Sequence, residues 1–192
     1  MVDNNSYTKT AIRLHWIIAF LIIALLFGGK LMGFIPGENL SLKIMIYNWH
    51  KTIGLLILVL SVARLVWRLT HKPPPLPSSI TGFPKLLSKF THIFFYVFMI
   101  AMPLIGWSII STSRLPSKFF NLFPMPQLPF WKNMAKEPKH DAHEFFENAH
   151  EKLAYIAMAL ILLHVAAAIK HHRSGGEIME RMIPSLKNKK RD

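Results

Sequence analysis

Four stretches of this chain are each apolar for long enough to cross a lipid bilayer, and they constrain its fold more than any other feature. A membrane helix needs roughly 20 mostly apolar residues. The stretches at about 12–34, 44–69, 86–111 and 149–170 meet that length. With 192 residues in all, the chain has room for one domain. The expected fold is therefore all-α: an integral membrane four-helix bundle running up and down. The first stretch is too long for a signal peptide and lacks a small-x-small cleavage site, so it reads as a retained membrane helix. Pro103 lies inside the third stretch, where neighbouring helices can satisfy the freed carbonyl. The "KPPPLP" run starting at Lys72 reads as a stiff linker. No internal repeat is evident.

The charge pattern orients these spans. Lys and Arg together number 23 against 10 acids in a chain that is 52% hydrophobic. Such a balance can mark nucleic-acid binding, but here the cations gather between the apolar stretches, which is the membrane pattern. Nucleic acid is not an expected partner. Lys9 and Arg13 precede the first span, and Arg64, Arg68, Lys72, Lys85 and Lys89 surround the acid-free second connection. The tail, 171–192, follows Lys170 with Arg173, Arg181, Lys187, Lys189, Lys190 and Arg191. In the connection at 112–148, Glu137, Asp141, Glu144 and Glu147 offset the lysines. The positive-inside rule then places both termini and the second connection on the cytoplasmic side of the membrane. The first and third connections face outward.

The histidines carry the chemistry. The absence of cysteine excludes disulfides, thiolate metal sites, iron–sulfur clusters and covalent c-type haem. His150 and His164 are 14 residues apart at the two ends of the fourth span. At 3.6 residues per turn they return to within about 40° of one face and stand about 21 Å apart along the axis. His50, at the outer start of the second span, lies level with His150. His15, near the cytoplasmic start of the first span, lies level with His164. Ionisable groups in membrane spans are costly and mark function, and imidazoles facing one another across a helix bundle are a standard way to hold haem iron. A single such histidine reads as an interfacial residue; four matched in depth read as ligands.

Neighbouring residues fit a flat porphyrin. Gly54 lies one turn from His50, Ala154 one turn from His150, and Ala167 and Ala168 one turn from His164, although small residues also serve ordinary helix packing. Arg64 follows His50 by 14 residues on the same face, with Arg68 a turn beyond. Guanidinium groups pair well with carboxylates such as haem propionates, and positive-inside anchoring is the alternative role, above all for Arg68.

The stretches "RLHW" (13–16), "WHKTIGLLILVLSVARLVWRL" (49–69), "HIFFYVFMIAMPLIGW" (92–107), "HEKLAYIAMALILLHVAAAIKHH" (150–172) and "RMIP" (181–184) resemble the bacterial cytochrome b561 family. These are four-helix membrane proteins carrying two b-type haems, and the likeness covers most of the chain. It implies that His15 and His164 hold an inner haem and His50 and His150 an outer one. It also implies oxidation of superoxide at the periplasmic face and reduction of ubiquinone in the membrane. Where the family carries an acid between the "HH" pair and "RM", this chain reads "RSGGEIME", with Glu177 nearest. The outer connection is long and Pro-rich, fit for a lid or a partner surface.

The other histidines have lesser roles. His92 is the rival ligand for the inner haem, or a contact for a propionate or quinone. His171 and His172, at the cytoplasmic boundary, suit proton exchange with a quinone headgroup because imidazole titrates near neutrality; a snorkelling interfacial pair is the other reading. His140 and His143 read as solvated loop and His71 as linker. Lys30, Lys43, Lys51, Lys132, Lys136 and Lys139 face outward and would steer an anion inward. The alternative function is a cytochrome b anchor passing electrons from a partner dehydrogenase or hydrogenase to quinone. A His/Met metal-ion transporter would need carboxylates along its path, and the four spans hold a single one, Glu151, at the outer end of the fourth.

Overall fold

The computed structural model describes residues 6–75, 80–113, 115–174 and 178–188, without the side chains of Lys132, Lys187 and Asn188. Glu177, Lys189, Lys190, Arg191 and the end of the "KPPPLP" run lie outside the described residues. Helix α1 spans Lys9–Met32, α2 Leu40–Thr70 and α3 Gly82–Thr112. A short hairpin, β1 (Lys118–Phe119) and β2 (Phe123–Pro124), leads to α4 (Pro129–Lys132). The long α5 (Lys136–Arg173) and the short α6 (Ser185–Asn188) complete the chain. Helices α1, α2, α3 and α5 are all long and apolar enough to cross a membrane. The protein is an all-α integral membrane bundle.

Local chemistry sets the helix limits. Thr8 caps α1, its hydroxyl accepting from the Ala11 amide at 3.3 Å. Pro36 and Gly37 hold the turn into α2, and Pro73–Pro75 stop α2 because proline cannot continue a helix. Gly82 opens α3 with a φ of +60°, a conformation glycine adopts without penalty. Pro103 sits buried within α3.

The apolar surface lies mostly outside. Phe20, Phe27 and Leu162 are each 71% exposed, an arrangement that a bilayer satisfies and water does not. The interior is thin. Ile18, Ile57 and Met99 form one buried cluster, and Leu55, Ile110 and Met125 another. Adjacent helices close three seams, α1 on α2, α2 on α3 and α3 on α5, while α5 touches α1 and α2 only sparsely. The bundle therefore has a gap bounded by α1, α2 and α5.

The last long helix differs from its expected span. It begins at Lys136, not near 149, so the outer connection is shorter than 112–148. Hydropathy misses residues 136–148 because they are polar. They are nonetheless helical, with His140 3.4 Å from Glu144 and His143 3.3 Å from Glu147, pairs one turn apart. The connection that remains is an ordered cap on α2 and α3. Asn48 donates to Asn121 at 2.9 Å and accepts from the Lys118 amide at 3.2 Å. Thr52 accepts from the Phe120 amide at 3.0 Å, and Lys51 donates to Ser117 at 2.8 Å. Trp107 donates to the Pro126 carbonyl at 2.8 Å. Phe120 and Asn121 have φ of 47° and 63°, and a bulky residue there is strained. Asn48, only 3% exposed, helps hold that turn. Asn48→Ala is expected to cost about 1–3 kcal/mol by leaving the Lys118 amide unsatisfied. The check is faster cleavage of the 113–128 segment in limited proteolysis.

At the opposite end, Trp67 donates to Thr8 at 2.9 Å and Trp16 to the Met182 carbonyl at 2.9 Å. Arg181 donates to the Pro75 carbonyl. The start of α1, the second connection and the tail thus meet at one end of the bundle, and the cap lies at the other.

Candidate functional site

Two helices bring the first histidine pair together. His50 projects from α2 and His150 from α5, with ring centroids 6.2 Å apart and planes 65° to one another. Both Nδ1 atoms are buried, and neither ring makes a hydrogen bond among the described residues. Buried polar atoms ordinarily find partners, so two facing imidazoles without any mark a place for something else to bind. The separation suits one metal ion. Imidazole–metal bonds are about 2 Å long, and two of them with the two ring radii roughly fill the observed distance.

Glycines from the other two long helices back these rings. A methyl group added at Gly106 on α3 would sit 3.4 Å from the His150 Cε1, and one at Gly29 on α1 would sit 3.6 Å from the His50 Cε1. Gly54, on His50's own helix, has no side-chain or non-helical atom near its missing Cβ. It borders open space, as a residue beside a flat ligand would.

The second cluster lies at the other end. His164 on α5 stands with its ring centroid 6.3 Å from His92 and 5.5 Å from Phe95, both on α3. The ring neighbour of His15 is Trp16, at 5.3 Å, and His15 lies within electrostatic reach of Arg64, His164 and His92. The structure therefore gathers His15, His92, His164 and Arg64 at one depth, with His92 as the ring nearest His164. The α3–α5 seam explains that contact, because these helices are closed on each other. His92 and His15 thus both stand near His164, from α3 and α1 respectively.

Arg64 points into the same region. Its Nε and Nη1 are buried without partners, and its guanidinium lies 5.9 Å from the Tyr96 ring centre. A buried arginine lacking a carboxylate is costly, and a carboxylate-bearing cofactor would relieve it. Arg64, Arg68, His92 and Tyr96 line one cavity at this end. His171 and His172 are half-buried at the end of α5, and the His172 Nδ1 is buried and unpartnered. His71 stacks on Trp67 at 3.8 Å. His143, in the helical extension of α5, contacts the Thr112 hydroxyl at 2.9 Å. Among the described residues no three or more His, Cys, Asp or Glu side chains come together as a metal-ion site.

Several residues escaped the sequence reading. Gly29 and Gly106 touch imidazoles from other helices, which no spacing along one helix reveals. Asn48 and Thr52 share a polar face of α2 one turn apart, a signal that a cap covers that face. Glu180 is a buried acid in the tail, 5% exposed, while the acid singled out there was Glu177.

The family described as prokaryotic cytochrome b561 matches residues 6–185. The chain is 27% identical to cytochrome b561 homolog 1 of Escherichia coli K12 over 95% of its own length and 99% of that protein's. It is 28% identical to the probable superoxide oxidase CybB of Yersinia pestis, over 88% of this chain and 90% of that one. Against cytochrome b561 homolog 2 of Escherichia coli K12 the identity is 30%, covering 64% and 62% of the two chains. Four membrane helices, imidazole pairs facing across them and a match over nearly the whole chain lead to one conclusion: this protein belongs to the prokaryotic cytochrome b561 family, whose b-type haem serves electron transfer through the membrane.

Proposed function

We propose that the protein carries electrons from superoxide at the outer face of the bacterial inner membrane to ubiquinone near the cytoplasmic side, through two haems. His50 and His150 would hold the outer haem and His15 and His164 the inner one, with Arg64 receiving a propionate. When bound, haem b would supply a one-electron redox centre, held by imidazoles from two helices. The chain's residues do the rest. Helix α5 fixes two ligands at different depths on one rigid element, and the glycines at 29 and 106 let neighbouring helices approach the imidazoles. His171 and His172 stand where a quinone headgroup would take up protons. The overall reaction balances: two superoxide ions lose one electron each and leave as dioxygen, and one ubiquinone takes two electrons and two protons. Both chain termini are proposed to lie in the cytoplasm, following the basic residues at that end.

The observation that carries this reading is the unpartnered imidazole pair, His50 and His150, above a second histidine cluster on the same α5. The likeness to a probable superoxide oxidase supports the choice of donor. In purified, haem-loaded protein, superoxide is expected to drive ubiquinone reduction, at a rate that falls as salt rises because outer lysines such as Lys43 and Lys51 steer the anion. Absence of quinone reduction would refute the donor–acceptor assignment. Stoichiometric co-purification of a soluble redox subunit, with no response to superoxide, would establish the anchor role instead.

A further inference from the structure

A second cleft opens toward lipid between α2 and α3, at the end where the termini meet. Its wall is apolar: Leu65 on α2 with Ile93, Val97 and Ile100 on α3. Ile93 and Val97 are 64% and 60% exposed, and with Ile100 they follow one stripe of α3 into the bilayer. The inner end of the cleft is polar, lined by Tyr7, Arg68, Ser88, Lys89, His92 and Tyr96, of which Arg68, His92 and Tyr96 also line the cavity beside Arg64. No carboxylate lines it among the described residues. Pro73–Pro75 roof the polar end.

We infer that this cleft binds an anionic phospholipid, its phosphate between Arg68 and Lys89 and an acyl chain along Ile93, Val97 and Ile100. Two cations beside hydroxyl donors, unopposed by any acid, complement a phosphodiester, and basic pockets between membrane helices suit such headgroups. A quinone ring is neutral and needs no such pair of charges. The phosphate remains at headgroup depth, where the basic residues of the second connection already lie. The bound lipid would brace the α2–α3 junction on the outside of the bundle, opposite the gap that α5 borders.

The test uses the full-length, haem-loaded protein, stripped of lipid in neutral detergent and offered defined lipids for native mass spectrometry. One phosphatidylglycerol per chain is expected to remain bound while phosphatidylcholine does not. Lys89→Glu should reduce its retention about fivefold or more, the effect expected of a basic group beside an anionic headgroup. Lys85→Glu, on the same connection but outside the cleft, should leave retention unchanged. Val97→Trp should block the acyl groove and release the lipid with both cations in place. Equal retention of the two lipids, or the parent's retention in Lys89→Glu, would overturn the assignment. So would retention of ubiquinone in place of the lipid, or displacement of the lipid by millimolar inorganic phosphate, which would mark a site for the bare ion.

Discussion

Replacing His150 by alanine is expected to lower the haem content from about two per chain to about one, since an axial imidazole is lost from one of two separate sites. His50→Ala should do the same, and the surviving haem should have the same spectrum in both variants, because both remove one outer site. His164→Ala and His15→Ala should leave the other haem. Pyridine haemochrome quantification counts the haems, and low-temperature spectra distinguish them. The decisive variant is His92→Ala. Its ring stands 6.3 Å from His164, as close as the outer pair, yet it approaches from α3, which is closed against α5. If that seam excludes a porphyrin, His92→Ala retains both haems and His15→Ala retains one. The reverse result would move the inner site to the α3 side and overturn the pairing by depth. A parent protein without haem would sink the whole scheme.

The contrast between His15 and His92 shows how far residue spacing reaches. Depth was legible because a helix rises 1.5 Å per residue, so sequence number converts directly to height along a membrane span. Lateral position was not, because which helices close and which stand apart depends on side chains of all four at once. His92 and His15 are equivalent by depth, and residue spacing does not choose between them as the partner of His164. The same limit applies to Gly29 and Gly106, which matter through contact with rings on α2 and α5. The four spans were legible because length and hydropathy alone define them. The start of α5 was not, since a helix that leaves the bilayer turns polar and loses the signal that located it. The cap was unreadable for a related reason. Its hairpin is two short strands, and its turn places Phe120, a poor choice for a positive φ, in a conformation that hydrogen bonds from α2 stabilise.

Gly106→Leu is expected to lose the outer haem while keeping the inner one. A bare Cβ at this position already sits 3.4 Å from the His150 Cε1, at the near limit of ordinary van der Waals contact. Leucine adds three further carbons toward the same ring. Overpacking of this kind costs about 1–3 kcal/mol, which corresponds to roughly fivefold to 150-fold weaker retention if it falls on the ligand's position. It should fall there, because α3 is fixed by its seams with α2 and α5 and the imidazole is the movable part. Gly29→Leu should act on His50 in the same way, more mildly, from 3.6 Å. Gly28→Leu is the control, since a Cβ there meets nothing within 4 Å, and it should keep both haems. Gly106→Ala should also keep both but turn the His150 ring, changing the low-spin electron paramagnetic resonance signal of the outer haem alone. If Gly106→Leu binds two haems with unaltered spectra, α3 does not brace His150 and the outer site is held by α2 and α5 without it. Loss of both haems together would mean that the substitution opens the bundle as a whole, because a local displacement of one imidazole leaves His15 and His164 untouched.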